Sequence, residues 1–140
     1  MSELPDFAAL ANTDAAVEAS RIEAGEPWCV CVIAGLQYYR YARHDELLGR
    51  VMPQPGDRLN LVRAPENPHD KNAVEVWWRN QHMLGHLPWF VAIRVAPLID
   101  AGQPLRGYVY HPGNGQAWSL RAFLVGAPVT HFHECYSEET

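Results

Sequence analysis

Three things are scarce in this chain of 140 residues. Cysteine is the first: Cys29, Cys31 and Cys135 are an odd number in a chain large enough to build a core. That excludes a disulfide framework and suits a reducing compartment. Long apolar runs are the second. No stretch approaches the roughly 18 residues needed to cross a bilayer, and residues 1–10 lack the positive-then-apolar order of a signal peptide, so the expected location is cytoplasmic, with no membrane partner. Positive charge is the third. Eleven Lys and Arg face sixteen Asp and Glu, for a formal net charge of −5, which excludes a protein that coats nucleic acid through bulk charge. There is also no internal repeat and no low-complexity linker.

Apolar residues (48%) and aromatics (11%) are plentiful enough for a core, which excludes a wholly disordered chain. Residues 1–26 are acidic and Ala-rich, with a thin apolar stripe of Phe7, Leu10, Ala11, Val17 and Ile22. With Asp6 and Asp14 as N-caps, they read as one or two short helices, loosely packed or partly mobile. Residues 27–126 carry the folded domain, and 127–140 form an acidic tail. Strand-like runs occupy 28–36, 58–63, 73–79, 82–87, 105–111 and 117–125, separated by clusters of Pro, Gly, Asn and Asp. One helix is expected over 89–101, with Phe90, Ile93, Val95, Leu98 and Ile99 on its buried side, a stop at Gly102, and a kink or break at Pro97. A second helical piece is expected at 43–49. The fold class is mainly β (α+β): a small, bent, partly closed barrel of about six strands with one or two short helices and an N-terminal helical extension.

The densest group of unusual residues is Pro65-Glu66-Asn67-Pro68-His69-Asp70-Lys71-Asn72-Ala73, between two strands. Its prolines fix the backbone, and Asn67, Asp70 and Asn72 can each bond to local backbone groups. Taken alone, the segment is either a rigid turn whose polar groups serve only themselves or a preshaped loop that offers Asp70 to a ligand.

Five blocks in order carry a resemblance: Gly35-Leu36-Gln37-Tyr38-Tyr39; Gly56-Asp57; Leu61-Val62-Arg63-x-Pro65-x-Asn67-Pro68-x-Asp70-x-Asn72-Ala73-x-x-Val76; Leu84-Gly85-His86-Leu87-Pro88; and Ala96-Pro97-Leu98-Ile99-Asp100-x-Gly102. Over about residues 28–125 they resemble the HIRAN domain. The resemblance implies an OB-like or SH3-like barrel that binds nucleic acid. In eukaryotes such domains are fused to SNF2-type helicases, where one holds the 3′-hydroxyl end of single-stranded DNA during fork remodelling. No helicase motif occurs here, so motor or nuclease activity would belong to a protein partner.

By that resemblance Tyr38, with Tyr39 beside it, stacks on a terminal base, a contact of roughly 1–3 kcal/mol. Asp70 accepts a hydrogen bond from the terminal 3′-hydroxyl, since an ionised carboxylate welcomes a hydroxyl and repels a phosphate. Asn67 lies near sugar and phosphate, and His86 lies beside the pocket. Apart from the resemblance, the basic residues Arg63 and Lys71 are expected to meet phosphates. Three positions depart from the family. Gln37 stands where the helicase-linked member has arginine, His69 replaces a tyrosine, and Trp89 replaces a basic residue. The changes at Gln37 and Trp89 imply weaker phosphate contact, His69 stacks less extensively than tyrosine, and Trp89 adds stacking surface.

Other groupings carry less. Trp77 and Trp78 are adjacent in a strand, so one points to each face. Trp118 either lines the pocket from the last strand or sits in the core or rim. His131, His133 and Cys135, like Cys29 and Cys31, lack paired zinc spacing, so no metal or other cofactor is expected. Nor is a catalytic residue. Two alternatives remain: a protein-interaction module, meeting its partner around Trp89 and Phe90 or at the Ala-rich N-terminus, and, third, a metal-dependent nuclease using Asp70, Glu66 and His86. The charge is also unevenly divided. Residues 1–26 hold six acids and one base, residues 127–140 three acids, and residues 27–126 ten bases and seven acids. A domain at +3 suits a few phosphates at a strand end. On this view the acidic segments compete for the site, and trimming 1–26 tightens DNA binding.

Overall fold

The computed structural model describes residues 15–45, 49–130, 132, 135 and 136. Helix α1 (Ala15–Glu23) is followed by β1 (Trp28–Val32), a 3-10 turn (Leu36–Tyr38), and short strands β2 (His44–Asp45) and β3 (Gly49–Arg50). Then come β4 (Arg58–Arg63), β5 (Val74–Trp78), β6 (His82–His86), α2 (Trp89–Asp100), β7 (Arg106–His111), β8 (Arg121–Val125) and β9 (Cys135–Tyr136). The main sheet has the order β6-β5-β4-β7-β8-β1-β9, antiparallel throughout except where β9 runs parallel to β1. The six expected strands are the six antiparallel members of this sheet. The last starts later than its apolar pattern suggests, at Arg121.

The sheet curls until the chain leaving β1 meets β6 at the far edge. Beyond β1, Ala34 pairs with His86 of β6 through two backbone hydrogen bonds of 2.8 and 2.9 Å. Two register shifts, at Val76/Trp77 and at Val109/His111, supply local bending. Gly85 permits the closure: a methyl group there would strike the carbonyl oxygen of Ala34. Inside the curl lie Cys29, Cys31, Ile33, Leu59, Val74, Val76, Trp78, Leu84, Val109, Ala122 and Leu124. Alternate residues of the same strands, Val30, Tyr108, Phe123 and Val125, pack outward with Ile22 of α1. That double burial explains why residues 28–33 are apolar without a break, where a strand with one wet face would alternate.

Helix α2 buries Val91, Ala92, Val95 and Ala96, an i, i+1, i+4, i+5 stripe, with Ile99 packed behind them. Ile93, expected on that side, is 50% exposed. Pro97 does not divide the helix, because it falls in the last turn. There the one carbonyl its missing N–H would have served belongs to exposed Ile93. The chain then stops at left-handed Gly102 (φ 92°).

Two expectations need correction. Where the sequence suggests a helical piece at 43–49, the described residues form a β2–β3 ladder instead, with His44 paired to Arg50 and Asp45 to Gly49; residues 46–48 lie outside the described residues. Nor is α1 loosely attached. Its Glu18 is fully buried and accepts two hydrogen bonds from Arg106 of β7, at 2.9 and 3.1 Å, and one from Arg21 at 3.2 Å. Glu26 accepts a third from Arg106 at 3.0 Å. A thin apolar stripe predicts weak packing, but a buried ion-pair cluster cannot be read from hydrophobic periodicity. The N-caps Asp6 and Asp14, and the residues Phe7, Leu10, His131 and His133, lie outside the described residues.

Candidate functional site

The loop between β4 and β5 is shaped almost wholly by its own residues. The Asn67 Oδ1 accepts the backbone N–H groups of His69 (2.8 Å) and Asp70 (3.2 Å), and the Asp70 Oδ1 accepts that of Asn72 (2.8 Å). Backbone bonds from Asn67 to Ala64 and from Ala73 to Asp70 complete the frame. Of the three side chains expected to serve the local backbone, Asn67 and Asp70 do so, while Asn72 takes part through its backbone N–H. Asp70 Oδ2 keeps no hydrogen-bond partner among the described residues.

Against this loop the curl of the sheet sets His86, and the 3-10 turn sets Tyr39. Tyr39, Asn67, His69, Asp70, Ala73, His86 and Leu87 together line a cleft of about 200 Å³. The Tyr39 ring meets His86 edge-on, with centroids 5.5 Å apart. Burial lowers the basicity of His86 against the pull of Glu75 and Asp70. Its Nε2 is buried without a hydrogen-bond partner among the described residues. The cleft is smaller than the roughly 300–1,000 Å³ of drug-sized sites and suits one sugar or base. It offers a free carboxylate oxygen, a neutral imidazole and an aromatic edge.

Five of the predicted residues (Tyr39, Asn67, His69, Asp70 and His86) therefore converge. Tyr38, next to Tyr39 in a turn opened by left-handed Gly35 (φ 78°), is 74% exposed and available for stacking. Lys71 is exposed on the loop. Trp89 is 70% exposed at the start of α2, two residues beyond Leu87, edge-to-face with Phe90 at 5.9 Å.

Arg63 is placed otherwise than expected, and of the two placements open to Trp118 the loop cleft is not the one taken. Arg63 turns inward. It donates to both oxygens of Asp100 (2.9 and 3.1 Å), to the carbonyl of Ala73 (2.7 Å) and to that of Lys71 (3.1 Å). It pins the loop to α2, and its hydrogen bond holds the Asp100 carboxyl below the usual range. Trp118 precedes β8 in a left-handed conformation (φ 65°) and lines a different cleft, of about 480 Å³, with Tyr110, His111, Gly113, Asn114, Ser119 and Arg121. Trp78 is the inward member of its pair, donating to Asp57 at 3.0 Å, while half-buried Trp77 donates to Glu75 at 3.0 Å. Sequence reasoning missed Arg43, whose guanidinium donates to the Gln37 carbonyl at 3.2 Å. It returns a cation to the turn where Gln37 had removed one, and its six-residue separation carries no motif. The divalent-ion arrangement of Asp70, Glu66 and His86 does not assemble: among the described residues no three His, Cys, Asp or Glu side chains come together as metal ligands.

The HIRAN domain family model matches residues 29–123. No curated protein matches the chain. Among solved structures, the crystal structure of the HIRAN domain of human HLTF is 25% identical, with 73% of this chain and 74% of that one covered and a TM-score of 0.53. The NMR structure of the HLTF HIRAN domain is 25% identical over 74% of this chain and 81% of that one, with a TM-score of 0.51. A protein from Lactobacillus plantarum, also 25% identical, covers 73% and 97% of the respective chains with a TM-score of 0.54.

Proposed function

We propose, because the chain belongs to the HIRAN domain family over residues 29–123, that it is a noncatalytic module that holds the 3′-hydroxyl end of single-stranded DNA. The binding unit is residues 27–126; helix α1 braces it, and Val129, Phe132 and β9 of the C-terminal segment pack onto it. Asp70 accepts the terminal hydroxyl on Oδ2, Tyr38 stacks on the last base, His86 and Asn67 flank the sugar, and His69 and Lys71 edge the entrance. Trp89 extends the stacking surface, in the place of a phosphate contact. Helicase or nuclease activity is supplied by a partner protein, in repair or replication-fork processing. No described helix is long and apolar enough to cross a membrane.

One observation carries the reading: a carboxylate oxygen without a partner, in a cleft whose backbone is already fixed by Asn67, Asp70 and Arg63. A preordered site loses little conformational freedom on binding, and a carboxylate rejects a terminal phosphate while accepting a hydroxyl. Fluorescence anisotropy with oligonucleotides ending in 3′-hydroxyl or 3′-phosphate tests it. The hydroxyl end should bind more tightly, and Asp70→Ala should abolish the preference. Equal binding of both ends, unchanged by Asp70→Ala, would overturn it.

A protein-interaction role is the second reading, and the outer side of α2 favours it. Trp89 and Ile93, one turn apart, are 70% and 50% exposed, and Pro97 follows on the same side. Under that reading Trp89→Ala/Ile93→Ser leaves oligonucleotide affinity intact and removes a protein contact. Under the first, Trp89→Ala alone weakens the oligonucleotide.

A further inference from the structure

At the end of β4 remote from the loop lies a second cleft, of about 340 Å³, lined by Asp57, Arg58, Asn60, Trp78, Arg79 and Asn80. Both arginines are exposed, and neither makes an ion pair among the described residues. Each lies over an aromatic ring: Arg79 is 4.3 Å from the Trp78 ring centroid, and Arg58 is 5.2 Å from that of Tyr108, whose hydroxyl it also reaches at 3.3 Å. A guanidinium held on a ring presents its donors in a fixed plane, the geometry that matches phosphate oxygens. The Asn60 amide bonds to the Asn80 side-chain oxygen and ties the turn to β4. The one acid present, Asp57, is already engaged at Oδ2 by the Trp78 indole (3.0 Å) and the Gln54 backbone N–H (2.9 Å).

The backbone adds a separate observation. Arg79 and Asn80 both have left-handed φ, 57° and 56°, in the turn closed by the bond from Gln81 to Trp78. Such turns favour Asn-Gly or Gly-Gly, because a long side chain at positive φ is strained. An arginine kept there, and aimed by a tryptophan, is a local strain that packing alone does not need.

We propose that this cleft is a phosphodiester site for the nucleic-acid strand whose 3′ end sits in the loop cleft, an inference that rests on that reading of the loop. Arg58 and Arg63 are five steps apart on β4, about 17 Å at the usual rise per residue. At about 3.4 Å per stacked nucleotide, that is about five nucleotides from the terminus. Short oligonucleotides therefore fill the loop cleft alone, and longer ones engage both.

The test compares 5′-fluorescein-labelled thymidine 3-mers and 12-mers, each with 3′-hydroxyl or 3′-phosphate, over a salt series. The double variant Arg58→Ala/Arg79→Gly should bind the 12-mer about tenfold more weakly and lower its logarithmic salt slope by about 1.4, two phosphates at 0.7 each, with the 3-mer unchanged. Arg58→Lys/Arg79→Lys should restore the slope. Arg79→Gly alone relieves backbone strain, so its melting temperature should match or exceed the parent's, which separates lost binding from lost folding. A 12-mer affinity and slope unchanged in the double variant, with hydroxyl preference intact, overturn the inference and leave the end reading standing. Loss of 12-mer affinity in a protein that ignores the end chemistry supports the phosphodiester site and removes the end reading. Failure of every oligonucleotide to bind removes both.

Discussion

Replacing Glu18 by Gln removes the charge from the one fully buried acid among the described residues and leaves the shape of the side chain nearly intact. The amide keeps one acceptor for Arg106 but turns its NH₂ toward a guanidinium, and Arg106, itself only 17% exposed, then relies on Glu26. Removing one member of a buried pair typically costs about 3–5 kcal/mol, because the other charge stays buried without compensation. Glu26 remains in place, so the expected loss is smaller, about 2–3 kcal/mol. The exposed Arg21 contact adds little. For a chain of this size, at about 4 °C per kcal/mol, the melting temperature should fall by about 10 °C. Urea unfolding followed by tryptophan fluorescence measures the loss directly.

The same pair sets a pH dependence. Burial pushes the Glu18 carboxyl up, but hydrogen bonds from Arg106 and Tyr108, the Arg106 charge and the Arg21 contact outweigh it and hold the group below its ordinary value of 4.5. The unfolded chain thus binds this proton more readily than the folded one. The stabilisation is complete above pH 4.5 and is lost as the pH falls through the lower folded-state value. In Glu18→Gln that acid-side loss should be shallower. Replacing both partners by apolar residues, Glu18→Leu/Arg106→Met, should recover most of the stability, since no charge is then buried. Deleting residues 1–26 removes both acids and the Ile22 cover over Val30, Tyr108 and Phe123, so it should destabilise the domain before it can tighten any DNA contact. A Glu18→Gln variant with an unchanged urea midpoint and an unchanged acid limb would refute the docking of α1.

Three further outcomes follow from the geometry. Arg63→Met should loosen residues 64–73, speeding their amide hydrogen exchange and weakening end binding about threefold to tenfold with Asp70 untouched; Asp100→Asn should do less, because the carbonyl contacts of Arg63 survive. Gly85→Ala should cost about 2–3 kcal/mol in urea unfolding, because the new methyl group meets the Ala34 backbone at the closure of the sheet. His86, whose basicity is lowered by burial, should make the protein less stable as the pH drops below 6.5 toward the folded-state value, since the unfolded chain takes up the proton first; His86→Phe should flatten that part of the stability curve.

What could be read from the sequence was whatever is local. The Asn67–Asn72 loop announces itself because its side chains bond two or three residues away, and the strand runs do so because the apolar residues are consecutive. Gly85 was legible as part of a motif, yet its reason is a contact with Ala34, fifty-one positions earlier, that only closure of the sheet creates. Arg63 looked like a free cation because its partner Asp100 is thirty-seven residues downstream. Hydrophobicity alone places Ile93 on the buried side of α2, since Phe90, Ile93 and Leu98 outrank Ala92 and Ala96, whereas the close packing of this helix selects the small residues. Trp118 and Arg43 depend on turns whose left-handed or irregular backbone has no periodic signature.

The charge ledger changes most when these distant pairs are counted. Arg106 is taken up by Glu18 and Glu26, and Arg63 by Asp100, so the surplus of three positive charges over residues 27–126 does not describe the field a ligand meets. Two of the acids in residues 1–26 are likewise spent internally, which removes them as competitors for the cleft. The cleft itself carries the Asp70 carboxylate, a charge of the same sign as DNA. Attraction at long range therefore does not select a ligand for this cleft; under the proposed reading, recognition comes from a donor that suits Asp70 and a base that suits Tyr38, both at contact. The proposed end reading then predicts a shallow salt slope for short ends, at most about one phosphate's worth, and a discrimination between end chemistries that persists at high salt, where an electrostatic binder would lose its affinity; a steep slope, or a preference lost at high salt, would refute it.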